Sequence, residues 1–263
     1  MIIDGENFKR YVIELSEKNK RIDGRGLKDF RKPIKIEYGI SKNAEGSALV
    51  TIGKTRVACG VKLEVGEPYP DKPDEGTMIV NAEFAALASP EFEPGAPGEE
   101  SIELARIVDR GIRESGAIDT KKLCIKKGEK VWLVFIDIYI QNHDGNLIDA
   151  SALAAIAALL DAKFPKLEED GRVNYKEKTN EPLPIVKKPV ACTIYKIGDK
   201  LFVDANADEE TICNARLTIT MDENDTINAM QKGGMDGLEQ DEIEKCIEIA
   251  KEKTKELRNY LKG

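Results

Sequence analysis

Residues 147–163 constrain the fold more than any other segment. Leucine, isoleucine and alanine recur there on every face of a helix, interrupted only by Asp149, Ser151, Asp161 and Lys163. A helix apolar nearly all round cannot lie on a surface and must be covered by other layers. Just upstream, Val131-Trp-Leu-Val-Phe-Ile-Asp-Ile-Tyr-Ile140 is apolar on both faces apart from Asp137 and Tyr139, the pattern of a central strand covered on both sides. Asp144-Gly145 supplies the turn that joins strand to helix. A chain carrying both elements is expected to stack sheets onto helices, an α+β architecture.

The remaining segments fit that plan. Residues 6–18 place Phe8, Tyr11, Val12 and Leu15 on one helical face. Segment 33–40 alternates as a strand. Residues 46–65 read as a hairpin about Gly53-Lys54, with Val57, Cys59, Val61, Leu63 and Val65 sharing one face of its second arm. Another strand is expected at 77–84. The stretches 66–76 and 90–98 are rich in Pro and Gly and are expected to be exposed loops. Residues 166–184 are polar and read as a connection. Strands near 188–196, 200–205 and 213–221 follow, Gly233-Gly234 reads as a loop, and a Lys/Glu-rich helix near 239–261 ends the chain. The expected organisation is a single domain over 1–263, with an N-terminal half to about 165, a connection over about 166–184 and a C-terminal half from about 185.

The net charge is −8, with charged residues at 33%. That balance argues against binding nucleic acid through overall charge, so any such contact must be local or rely on a basic partner. The five cysteines are far apart and form no C-x-x-C pair, so disulfides and zinc are not expected, which suits a reducing cytoplasm. The N-terminal residues lack a basic region followed by an apolar run, and no apolar stretch is long enough to span a bilayer. A cytoplasmic location without membrane contact is expected. His143 is the only histidine and reads as a surface residue rather than a base. Asp222-x-Asn224-x-Thr226 lacks the glycine and distal glutamate of a calcium loop. No phosphate-binding glycine motif occurs. The residues therefore offer no self-contained catalytic constellation, no metal ligands and no cofactor site.

One polar stripe stands out. Arg106, Arg110 and Arg113 are spaced i, i+4, i+7, opposite Leu104, Ile107, Val108 and Ile112, so their guanidinium groups stack along the outer face of a helix. Such a row can grip successive phosphates of a single strand. It can equally be a salt-bridged solvent face, because Glu103, Asp109 and Glu114 stand at pairing distances from Arg106, Arg113 and Arg110. A second basic cluster, Arg21, Arg25, Lys28, Arg31 and Lys32, reads as a solvated loop, with RNA or a neighbouring subunit as the alternative contact.

Four motifs occur in order: Arg21-Ile-Asp-Gly-Arg25, the Gly46–Val57 hairpin, the arginine helix and Asp144-Gly-Asn-Leu-Ile-Asp-Ala150. Together they resemble the RNase PH family, and within it the non-catalytic ring subunits of the archaeal exosome. The resemblance covers almost the whole chain and implies an α+β fold of two similar strand-helix halves. It also implies pairing with a catalytic RNase PH-like sibling in a hexameric ring, a trimer of heterodimers, with RNA-binding cap subunits. Single-stranded RNA would thread the ring and be shortened from its 3′ end by phosphorolysis, using inorganic phosphate at the sibling's site. Arg106, Arg110 and Arg113 match the family's RNA-contacting arginines. Where active members carry a Gly-Thr/Ser-Arg phosphate cluster, this chain has Asn146-Leu147-Ile148, which offers a phosphate neither hydroxyl nor charge. Aligning on Glu209-Glu210 puts Arg216 where active members carry their catalytic aspartate, and a guanidinium cannot act as a general acid. The implied role is RNA binding and completion of the sibling's active site, without activity alone. Two alternatives stand beside it. One is an active exoribonuclease using Asp144, Asp149 or Asp204, which otherwise read as an N-cap, a turn residue and a loop residue. The other is a purely structural ring subunit.

Overall fold

The computed structural model describes residues 5–168 and 172–262. In chain order the first half holds α1 (Gly5–Glu17), β1 (Ile34–Tyr38), β2 (Gly46–Ile52), β3 (Thr55–Gly66), β4 (Thr77–Phe84), α2 (Glu99–Ser115), a 3-10 turn (Thr120–Leu123), β5 (Cys124–Lys126), β6 (Lys130–Asn142) and α3 (Leu147–Asp161). There follow β7 (Lys163–Leu167), β8 (Val173–Pro182), β9 (Val190–Ile197), β10 (Lys200–Val203), α4 (Ala207–Thr211), β11 (Ala215–Met221), β12 (Ile227–Gly234) and α5 (Gln240–Arg258).

Helix α3 is the centre of the architecture. Every residue from Ile148 to Leu159 is buried. One side packs on the first sheet, ordered β1-β2-β3-β6-β4 with β5 on β6, and the other meets β9 of a second sheet, ordered β10-β9-β11-β12. Helix α2 lies beside α3 and touches β4, β11 and β12, while α5 packs on β9 and β11. One continuous apolar core runs through both halves, from Phe30 and Val50 through Leu153 to Ile219 and Leu257.

The expected alternation of β3 holds, with Val57, Cys59, Val61 and Leu63 buried and Val65 half-buried. Strand β6 corrects the expectation of a doubly covered strand. It is central, antiparallel to β3 and parallel to β4. Its Val134, Ile136, Ile138 and Ile140 are buried, whereas Leu133 and Phe135 are half-buried and Asp137 and Tyr139 are exposed. The helices pack on one face of this sheet only, so an apolar run did not mean two covered faces.

Two other expectations give way. The polar stretch after α3 is not a plain connection: β7 and β8 pair as an antiparallel ribbon, with residues 169–171 of that stretch outside the described residues. Apart from Phe164 and Pro165 the described side chains of β7 are not buried, so the ribbon shows no apolar alternation. Gly233-Gly234 belongs to β12, which pairs with β11 at the sheet edge. No β12 side chain is buried, so this strand too lacks the periodic signal that marks a half-buried one. No helix among the described residues is long and apolar enough to cross a membrane.

Candidate nucleic-acid interface

Helix α2 buries Leu104, Ile107, Val108 and Ile112 and ends at Gly116 in the left-handed region, φ 64°. Its opposite face exposes Arg106, Arg110 and Arg113. Of the three intrahelical pairs open to them, only one forms. Arg113 binds Asp109 at 2.6 Å and donates to the Met78 carbonyl at 2.9 Å; the carboxylate of Asp109 holds its guanidinium charged. Glu103 pairs instead with Arg216 of β11, at 2.6 Å, and Glu114 makes no ion pair among the described residues. Arg106 and Arg110 therefore stand exposed and unpaired among the described residues, in a chain of net charge −8.

Beside this stripe lies a cavity of about 400 Å³ lined by Leu147, Ile148, His143, Glu210, Glu103 and Arg216, among others. The fold thus brings Leu147, Ile148 and Arg216 together at one cavity, although Leu147 and Arg216 lie in different halves. Leu147 and Ile148 contribute only hydrocarbon. His143 is half-buried rather than on the surface, its ring stacked on Phe92 at 5.4 Å. Burial raises the pKa of the Glu210 carboxyl against the bonds it accepts, from the Tyr195 hydroxyl at 2.7 Å and from the Asn146 amide at 2.9 Å.

The second basic cluster is not a solvated loop. Arg21 is buried on Glu209: its Nε donates to Oε1 at 2.9 Å and its Nη2 to Oε2, while Nη1 donates to the Val203 carbonyl at 2.7 Å. Arg31 is buried around Asp204, its backbone N–H donating at 2.6 Å, Nε at 3.0 Å and Nη2 at 2.8 Å. It also reaches the Asp144 carbonyl and carboxylate and the Gly145 carbonyl. Arg25 adds a second cation to Asp204, at 3.1 Å. Lys28 and Lys32 remain exposed. These arginines clamp residues 21–31 and the Asp144-Gly145-Asn146 turn onto the second half. Gly145 is required in that turn: its φ is +86°, and a Cβ there would sit 2.4 Å from the Ala205 carbonyl oxygen.

Of the three aspartates offered to a catalytic alternative, Asp204 lies in a loop as expected and the other two are placed differently. Asp144 is not the N-cap of α3; Asn146 holds that position. Asp149 is no turn residue but lies in the first turn of α3, fully buried. Asp204 follows β10 with φ 53°, and burial that would raise its pKa is outweighed by Arg31, which holds it below the ordinary carboxylate range.

Asp149 accepts from Thr193 Oγ1 at 2.8 Å and from Asn146 Nδ2 at 3.1 Å. Burial nevertheless pushes its pKa up to about 7. A carboxyl raised in the folded state contributes stability that is present at acid pH and lost as pH rises through the folded value. Asp149→Asn is therefore expected to gain on the parent protein as pH rises from about 5 to about 8, in denaturant midpoints compared at both ends. An unchanged difference across that range would mean that Asp149 does not titrate there.

Residues 31–165 match domain 1 of the 3′ exoribonuclease family, RNase PH, and residues 188–253 match its domain 2. The chain is 52% identical over 258 residues to the exosome complex component Rrp42 of Methanosarcina acetivorans, covering 97% of this chain and 94% of that one. It is 48% identical over 257 residues to Rrp42 of Pyrococcus furiosus, covering 97% and 92%. It also resembles a chain of the Archaeoglobus fulgidus exosome with RNA bound to the active site, with TM-score 0.90, 47% identity, and 97% and 98% coverage. A chain of an archaeal exosome core gives TM-score 0.85 at 44% identity, covering 97% of this chain and 96% of that one.

Proposed function

The chain belongs to the 3′ exoribonuclease family, RNase PH, and from that premise we propose that it is a ring subunit of an exosome, a 3′-to-5′ exoribonuclease complex, which binds RNA but performs no chemistry alone. In this reading its partners are a catalytic RNase PH-like sibling, arranged with it as a hexameric trimer of heterodimers, and RNA-binding caps. The sibling uses inorganic phosphate, this chain needs no cofactor, and the complex works in the cytoplasm. Arg106, Arg110 and Arg113 hold phosphates of the single strand and keep it in register while the sibling reacts.

The observation that carries this reading is the contrast between stripe and cavity. Arg106 and Arg110 are exposed and unpaired among the described residues, which suits a polyanion. The cavity lined by Leu147, Ile148 and Arg216 has hydrocarbon at the positions that the resemblance gives to the phosphate cluster, and at the position it gives to the catalytic aspartate a guanidinium that cannot act as an acid. In this reading the stripe keeps the family's RNA-contacting arginines while the cavity lacks the family's phosphate cluster and catalytic aspartate.

Phosphate-dependent release of nucleoside diphosphates from single-stranded RNA tests it. The purified chain is expected to release none, and mixing with the sibling to raise release above the sibling's own rate. Release by the chain alone, abolished by a substitution at Asp144, Asp149 or Asp204, would assign it the chemistry and reject the proposal.

A further inference from the structure

Arg216 cannot serve as an acid, yet the fold gives it a defined seat. It stands opposite Gly233 in the β11–β12 register. A Cβ on Gly233 would lie 2.7 Å from Arg216 Nε and 2.8 Å from Cζ. The guanidinium therefore lies across bare backbone of the edge strand, on a path that any side chain there would block. At its end Arg216 Nη2 meets Glu103 Oε2 of α2, at 2.6 Å. Both partners are only partly exposed, with 29% of the Arg216 side chain and 40% of the Glu103 side chain accessible.

Glu103 is the residue three before Arg106. On a free helix those two side chains are neighbours and pair. Here no such pair forms, because Arg216 holds the carboxylate. A negative charge left free at that place would compete with RNA phosphate for Arg106 and repel the strand. We infer that Arg216 is a positioning residue for RNA binding: seated over Gly233, it draws Glu103 away from Arg106 and neutralises it, leaving the first arginine of the stripe open to phosphate. The inference rests on the RNA-binding reading of the stripe.

The test measures binding of a labelled single-stranded oligoadenylate by the complex assembled with the sibling. Arg216→Ala is expected to weaken binding about three- to tenfold at about 50 mM salt, and much less near 200 mM, where screening hides the released carboxylate. Arg216→Ala combined with Glu103→Gln should recover the affinity, since the carboxylate that Arg216 restrained is gone. Gly233→Ala should weaken binding in the same sense while leaving every charge in place. Gly233 has no left-handed φ, and the atoms it would displace are the far end of a flexible side chain, so the fold should tolerate the change. Arg216→Lys should restore part of the loss.

A double variant as weak as Arg216→Ala would overturn the inference, because Arg216 would then be acting on RNA itself or on the fold. Unchanged binding by both Arg216→Ala and Gly233→Ala would overturn it as well. Arg106→Glu/Arg110→Glu, assayed in parallel, separates the two levels. If that variant binds like the parent, the RNA-binding reading fails and the inference with it. If it loses RNA while the Arg216 variants do not, only the inference falls.

Discussion

Replacing Asp204 by alanine is expected to cost about 3–5 kcal/mol of folding stability, the range for breaking a buried ion pair from one side. The side chain is fully buried and accepts from Arg31 through its backbone N–H, Nε and Nη2, from Arg25, and from Asn146 Nδ2 at 2.9 Å. Without it, Arg31 stays in the interior with its charge answered by Asp144 and, at longer range, Glu210, and Asn146 Nδ2 keeps only Asp149 as acceptor. The guanidinium groups, rather than the absent carboxylate, account for most of the penalty, since an unpaired buried charge is worse than no charge. Asp204→Asn keeps the shape and should lose less. The carboxyl is held below its ordinary pKa mainly by Arg31, against the opposing effect of burial. Its contribution is therefore present above the unfolded value and lost as pH falls through the folded one, so the gap between parent and variant should narrow in acid. Urea midpoints for the parent and both variants decide the matter. A loss below about 1 kcal/mol for Asp204→Ala, the level of an exposed ion pair, would mean that the cluster is a solvated surface after all.

Arg106→Glu with Arg110→Glu is expected to lower RNA affinity of the assembled complex about 100-fold at low salt, near 1.4 kcal/mol for each tenfold step. Both guanidinium groups are exposed and unpaired among the described residues, so reversing them removes nothing the fold needs, and stability should change by no more than about 0.5 kcal/mol. The logarithmic salt dependence should flatten by about 0.7 for each single-strand phosphate that the variant no longer neutralises. Arg113 is a different case. Its bonds to Asp109 and the Met78 carbonyl make it part of the helix–sheet joint, so Arg113→Glu should cost stability as well as affinity. RNA binding and salt dependence unchanged in the double variant would leave the three arginines a structural face and favour a purely architectural subunit.

Much of the fold is legible without tertiary information. The burial of α3, the alternation of β3, the hairpin turn at Gly53-Lys54 and the amphipathic α2 are each properties of a single element facing core or solvent, and periodicity reports that directly. Elements that bury little give no such signal, which is why the β7–β8 ribbon and β12 do not announce themselves as strands and the open face of β6 looks covered. At the candidate site the stripe of Arg106, Arg110 and Arg113 is readable for the same reason of pitch, and Arg216, Leu147 and Ile148 through family resemblance.

The partners of charged groups are the illegible part. Arg21 and Arg31 look like a solvated loop because composition near them is polar, yet the carboxylates that draw them inside, Glu209 and Asp204, come from the other half of the chain. Glu103 has a suitable neighbour one helical turn away in Arg106, and the fold gives it Arg216 instead. Local pitch determined which side chains share a face, because helical and strand geometry are set residue by residue. Only the packing of the second sheet against α2 and α3 decided which of those charges are buried, paired or left free. A charge takes whichever partner the chain brings within a few ångströms, and sequence distance says nothing about that.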